Sequence, residues 1–168
     1  MVREFSAGGV VLRKMRGRWY LAVIEPHMDR PRRNLKLRKS KRTPTDAELV
    51  ALPKGAIDEG EKPEQTALRE VREETGYELA PSGELISLGY FFSSPGFTDE
   101  RGYFFLLRPV QACAKGPDRD ESESILDCRG FTSEEIRRMI AENKIRDANT
   151  LGICATLAAR GLLSLAPR

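Results

Sequence analysis

Between Gly55 and Tyr77 the chain reads GAIDEGEKPEQTALREVREETGY, and its glutamates fall at a spacing that a helix gathers. Pro63 suits a first helical turn and Gly76 a C-terminal cap, so a helix is predicted from Pro63 to Thr75. On such a helix Glu70, Glu73 and Glu74 stand at i, i+3 and i+4 and share one face. Ala67, Leu68 and Val71 form a separate apolar stripe, displaced by roughly 110° if each residue advances ~100°. One side can therefore pack while another presents clustered acids. Like charges at this spacing repel, so a positive partner is expected among them. An all-oxygen, carboxylate-rich site suits Mg²⁺ or Mn²⁺ and not zinc. The single histidine, His27, excludes a multi-histidine metal site. Taken alone, however, a glutamate-rich helix is more often a solvated acidic face.

The surrounding residues change that balance. The stretch resembles the Nudix family box, GX5EX7REUXEEXGU with U aliphatic, and meets each fixed position: Gly55, Glu61, Arg69, Glu70, Glu73, Glu74 and Gly76, with Val71 at the first U. Tyr77 departs at the final U, a packing position. The resemblance implies a Nudix fold, an α+β arrangement (an α/β/α sandwich) with a mixed sheet between helices. It also implies a metal-dependent hydrolase that cuts the pyrophosphate linkage of a nucleoside diphosphate derivative. Under it, Glu70, Glu73 and Glu74 would bind metal together with a backbone carbonyl at or beside Gly55. Arg69 and Glu61 would be a supporting pair that orients the cluster through an arginine-carboxylate fork. The metal would bind pyrophosphate oxygens and activate the attacking water. Lys54, just before the box, would touch a substrate phosphate or stand as a plain solvated lysine.

The leaving group is not written in the box. Ser94, Pro95, Gly96 and Phe97 have the composition of a type II turn between strands. The longer segment SSPGFTDE also resembles the post-box loop of ADP-ribose pyrophosphatases, which implies substrate contacts at these four residues. It further implies a general base at Glu100, or second to it Asp99, reaching the water once substrate closes the site. Lys144 to Thr150 (KIRDANT) resembles the same subfamily, though a helix N-cap explains it equally. Against this, LPKG before the box and the opening SAGGVVL resemble hydrolases of dinucleoside polyphosphates or nucleoside triphosphates. The substrate expected first is ADP-ribose or a related nucleoside diphosphate sugar. The alternatives are polyphosphate hydrolysis and, from another class, an inactive nucleotide- or RNA-binding Nudix module. The ADP-ribose subfamily builds its dimer with an extra N-terminal strand region, which is not visible ahead of Phe5, so a homodimer stays open.

The rest of the 168 residues reads as one domain around this box, with a basic insertion at about 28–45. Of 28 Lys and Arg, eight lie in residues 30–42 (RPRRNLKLRKSKR); without them 20 basic residues face 25 acidic ones. That loop could grip phosphates or RNA, but it lacks the interleaved aromatics of a stacking surface, and a solvated insertion explains it better. Nucleic acid is therefore not the expected partner; a nucleotide-derived small molecule is. Cys113, Cys128 and Cys154 are scattered without a CxxC pair, which argues for reduced thiols and a cytoplasmic location. Strands are expected at Phe5–Leu12, Trp19–Ile24, Glu48–Leu52, Glu84–Phe92 and Tyr103–Leu107, with Arg16-Gly17 as a hairpin turn. Lys115 to Ser124 reads as a loop. A capping box at Thr132 and Glu135 predicts a second helix to about Asn143, and Thr150–Leu163 a last, buried one. No stretch approaches the ~18 apolar residues of a membrane span.

Overall fold

The computed structural model describes residues 5–26, 50–93, 96, 98–118 and 125–165. The basic segment, His27, Ser94, Pro95 and Phe97 lie outside the described residues. Among the described residues, six strands and three helices follow in order: β1 (Phe5–Met15), β2 (Arg18–Pro26), β3 (Lys54–Ala56), α1 (Pro63–Thr75), β4 (Tyr77–Phe92), β5 (Arg101–Ala112), β6 (Ile125–Thr132), α2 (Ser133–Ala141) and α3 (Ala148–Ala159). They form one mixed sheet in the order β4-β5-β1-β2-β6, with β3 paired to β1. β1 runs parallel to β5 and antiparallel to β2 and β3. The β1–β2 turn is the two-residue hairpin expected from Arg16-Gly17, both with positive φ (48° and 79°), as a primed turn requires.

Both faces of the sheet are covered, and the strand period of two assigns each apolar residue to a layer. Ala7, Val11, Ala22, Phe105 and Leu107 meet Ala67 and Val71 of α1. Their neighbours Val10, Leu12, Leu21, Val23, Phe104 and Leu106 point the other way, to Ile136 of α2 and to Ile153 and Leu157 of α3. Runs such as GGVVL and FFLL are thus apolar on both faces because each face has a helix over it. The α/β/α sandwich expected from the box is the architecture observed.

Several boundaries differ from the sequence reading. Glu48–Leu52 is not a strand in its described part; Ala51 makes one bridge to Ile24, and the strand falls at Lys54–Ala56 instead. Pro53 and Gly55 have the composition of a strand end, yet the Pro53 carbonyl accepts from Gly9 N–H (3.1 Å), and Gly55 sits within the ladder. β4 begins seven residues before Glu84 because it resumes its pairing with β5 across an irregularity between Leu79 and Glu84. β6 is not expected from the sequence because, among the described residues, it is an edge strand paired to β2 alone, and its polar DCRG breaks the apolar signal. Both predicted caps on the far face are present. Thr132 and Glu135 close a capping box, and Asp147 accepts from Thr150 N–H (2.8 Å) and Oγ1 (2.7 Å), so α3 starts at Ala148.

The Gly8-Gly9 pair in β1 serves close approach. A Cβ on Gly9 would collide with Val71 Cγ2 and lie 3.0 Å from Leu107 Cδ1, so α1 can rest on β1 only if this position has no side chain. Gly9→Ala is therefore expected to lower unfolding stability by roughly 1–3 kcal/mol, the usual scale for overpacking. Urea denaturation measures this; a loss below about 0.5 kcal/mol would show that α1 yields freely.

Candidate functional site

Helix α1 forms where expected, from Pro63 to Thr75, and ends at Gly76 with left-handed backbone (φ 70°). Its orientation differs from the simple picture of apolar side in, acidic side out. Glu70 and Glu74 are buried along with Ala67 and Val71, Glu70 being only 2% exposed. The reason lies in β3. A Cβ on Gly55 would coincide with the Glu70 carboxylate, so the missing side chain leaves a cradle that the carboxylate fills. The neighbouring Lys54 N–H donates to Glu74 Oε2 (3.1 Å). Two of the three helix acids are thereby held against the backbone of β3.

Arg69 joins the rest. Its Nε and Nη2 donate to the two carboxylate oxygens of Glu61 (3.1 and 3.0 Å), a two-pronged pairing. Nη2 also donates to the Ala56 carbonyl (3.1 Å), while Nη1 donates to Glu70 Oε1 (2.6 Å) and Glu73 Oε2 (3.3 Å). Arg72 Nη2 takes the other oxygen of Glu73 (3.0 Å). One guanidinium thus binds the loop before α1, strand β3 and two helix acids. The Arg69 pairing, with further bonds from Thr66 and the Asp58 backbone, holds the Glu61 carboxyl at about 2, well below its ordinary 4.5. The same contact raises the Arg69 pKa.

The other candidate residues fall partly inside and partly outside the described residues. Lys54 lies in β3, with its side chain half-buried. Gly96 is exposed, and Ser94, Pro95 and Phe97 are outside the described residues. Glu100 is half-buried at the entry to β5, with its N–H on Thr98 Oγ1 (3.1 Å). In the sheet, Gly55, Ala7 and Tyr103 form one row across β3, β1 and β5. Two strand spacings put β5 roughly 10 Å from β3. Glu100 therefore stands at the same end of the sheet as Gly55 but two strands away. Sequence reasoning missed Thr150, which is buried and accepts from Leu52 N–H at 3.1 Å, fixing the segment that leads into Lys54 and Gly55. KIRDANT thus caps α3 and also braces the approach to β3.

Among the described residues no three acidic, histidine or cysteine side chains converge on one point as a ready metal cage. The donor chemistry nevertheless fits a hard divalent cation. Glu70, Glu73 and Glu74 offer only oxygen, and Glu70 and Glu73 already meet on a single positive nitrogen. The Glu70 carboxylate nests in the Gly55 cradle, against the backbone of β3. Elsewhere, a cavity of about 260 Å³ lined by Val23, Phe131, Arg138, Met139 and Lys144 opens on the α2 face, with the sheet between it and α1. Cys154 is buried, and burial pushes its thiol up to about 11, which removes it as a nucleophile.

A carboxyl held low in the folded state contributes stability above its unfolded pKa and loses it as pH falls through the folded one. For Glu61 that window runs from about 4.5 down to about 2. Wild type is expected to lose urea resistance across this range. Glu61→Gln should be weaker at neutral pH with a flatter acid limb; identical acid limbs would show that the fork adds nothing to folding.

Comparisons with known proteins agree with this geometry. The chain matches the NUDIX domain family over residues 13–151. It is 34% identical over 112 residues to an ADP-ribose pyrophosphatase of Bacillus subtilis, covering 67% of this chain and 58% of that protein. It is 36% identical over 110 residues to a methanol dehydrogenase activator of Bacillus methanolicus, covering 66% and 57% respectively. The chain thus spans little more than half the length of these curated relatives. In fold it is similar to a NUDIX hydrolase from Nitrosomonas europaea, with a TM-score of 0.64 at 20% identity over 95% of this chain and 90% of that one. With every fixed position of the box present from β3 through α1 and a family match across most of its length, the chain belongs to the Nudix family.

Proposed function

We propose that this chain hydrolyses the pyrophosphate linkage of a nucleoside diphosphate derivative, ADP-ribose or a related nucleoside diphosphate sugar. The products would be a nucleoside monophosphate and a phosphorylated leaving group. The observation that carries this reading is the Arg69 guanidinium, which gathers Glu70 and Glu73 beside Gly55 while the Glu61 fork fixes its plane. The similarity to the Bacillus subtilis ADP-ribose pyrophosphatase supports the substrate class.

In this reading Glu70, Glu73, Glu74 and the Gly55 carbonyl would hold Mg²⁺ or Mn²⁺. When bound, such a cation supplies Lewis-acid polarisation of the phosphate oxygens and activation of water. The protein's own part is placement. Lys54 N–H fixes one Glu74 oxygen, and the Gly55 cradle fixes Glu70. Glu61 and Arg69 act through the acids they orient and are positioning residues. Glu100 would take the proton from the attacking water, and its place at the head of β5 requires the substrate or its loop to bring it inward. Lys54 would meet a phosphate oxygen, and Ser94, Pro95, Gly96 and Phe97 the ribose side. One domain with a basic insertion, a nucleotide-derived partner and a reducing, cytoplasmic setting complete the proposal; the scattered cysteines support the last. No described helix is long and apolar enough to cross a membrane.

Glu73→Gln and Glu74→Gln are each expected to lower turnover roughly a hundredfold or more, the scale for losing one well-placed polar group, with melting temperature nearly unchanged. Turnover within a fewfold of wild type would remove these residues from the site. Chelation should abolish activity and Mg²⁺ restore it. Product analysis on a panel tests the substrate. AMP plus ribose 5-phosphate from ADP-ribose supports the proposal, and preference for diadenosine tetraphosphate or a nucleoside triphosphate overturns it. Metal-dependent binding of nucleotide without any product would instead identify a binding module.

A further inference from the structure

Strand β3 and the residues leading into it are held from both faces of the sheet. Ala51 exchanges both backbone bonds with Ile24 (2.9 and 3.0 Å), and the Pro53 carbonyl accepts from Gly9 N–H. Pro53 has no N–H of its own to give. The amides on either side of it go to side chains: Leu52 N–H donates to Thr150 Oγ1 (3.1 Å) and Lys54 N–H to Glu74 Oε2 (3.1 Å). Thr150 belongs to α3 and Glu74 to α1, which cover opposite faces of the sheet. Two helices in different layers therefore grip neighbouring amides of one short segment.

Helix capping does not require the Leu52 contact. Asp147 already caps α3 by accepting from Thr150 N–H (2.8 Å). The Thr150 hydroxyl is a separate device. It donates to Asp147 Oδ2 (2.7 Å), which fixes its proton and leaves a lone pair for Leu52 N–H. A hydroxyl whose proton is drawn toward a carboxylate is also a stronger acceptor. Thr150 and Leu52 are both buried, so losing the hydroxyl would leave a buried N–H unpaired. The segment has little slack. A Cβ on Gly8 would collide with the Pro53 carbonyl and with Lys54, so β1 and this stretch lie as close as their backbones allow. A shift at Leu52 is therefore passed on to Lys54 and Gly55, where Glu74 and Glu70 rest.

We propose that Thr150, oriented by Asp147, is a positioning residue for the divalent-cation site on the opposite side of the sheet. Its hydroxyl sets where the backbone from Leu52 to Gly55 lies, and that backbone sets the carboxylates of Glu70 and Glu74. The proposal rests on the pyrophosphatase reading only in taking those glutamates as cation ligands. Such coupling is reciprocal. If the Thr150 bond favours cation binding, the bound cation must strengthen the Thr150 bond by the same factor. A hydroxyl that served α3 alone would show neither effect.

Mn²⁺ affinity, read by electron paramagnetic resonance on the whole chain without substrate, tests the link. Thr150→Val nearly keeps the shape and removes the hydroxyl. It should weaken Mn²⁺ binding about fivefold, short of the roughly 10–100-fold scale for groups bonded directly to a ligand. Thr150→Ser, which keeps the hydroxyl, should bind Mn²⁺ like wild type. Ile153→Val trims a buried α3 side chain that packs in the far-face core, and should leave Mn²⁺ affinity unchanged. Wild-type affinity in Thr150→Val, or an equal loss in Ile153→Val, overturns the positioning role. Hydrogen exchange on the wild-type chain checks the reciprocal effect: saturating Mg²⁺ should slow the Leu52 amide more than the Ile153 amide, and equal slowing counts against the link. Thr150-dependent Mn²⁺ binding by a chain that cleaves no nucleotide would uphold the positioning role and overturn the proposed reaction. ADP-ribose cleavage with Mn²⁺ binding indifferent to Thr150 would do the reverse.

Discussion

A single guanidinium carries the architecture of the site. Arg69 reaches a loop carboxylate, a strand carbonyl and two helix carboxylates at once, and it can do so because five donors lie in one rigid plane. A lysine at this position would offer a point charge and could not hold both Glu61 oxygens while reaching Glu70. Remove the guanidinium and three glutamates would repel one another at close range with nothing to set their directions. The Glu61 fork therefore matters less as an ion pair than as the constraint that fixes the plane from which the other contacts extend.

Backbone proximity is the second requirement. Helix α1 can lie close to β1 and β3 because Gly9 and Gly55 leave space, at one point for Val71 and at the other for the Glu70 carboxylate. The same helix thus buries an apolar stripe and two acids, a combination that would be costly if the acids lacked partners. Lys54 N–H and Arg69 supply them. On the far face Thr150 holds Leu52, so α3 reaches through the core to steady the strand that cradles Glu70. The two helical layers cooperate on one short strand.

Much of this was legible beforehand because its signals are local. The bounds of α1 followed from Pro63 and Gly76, the hairpin from Arg16-Gly17, and the α2 and α3 caps from side chains within three residues of their targets. The strand at Lys54–Ala56 did not, since Pro53 and Gly55 carry turn chemistry and only the neighbouring β1 makes them a ladder. β6 was missed for a related reason: an edge strand with one partner needs few apolar residues. In β4, LGYFF reads as plain alternation, and nothing local reveals that Gly89 admits a bulge.

The order of residues along the chain determined which acids share a helix face, where that helix starts and stops, and which strands must be buried on both sides. Those properties depend on periods of 3.6 and 2 and on capping over a few residues. Tertiary structure alone decided that Glu70 and Glu74 turn inward to β3, that Arg69 spans three elements, and that Thr150 meets Leu52 from the far layer. Each of these outcomes depends on how close two backbones come and in what register. Such distances are set by the packing of residues far apart in sequence, and no window of neighbouring residues contains them.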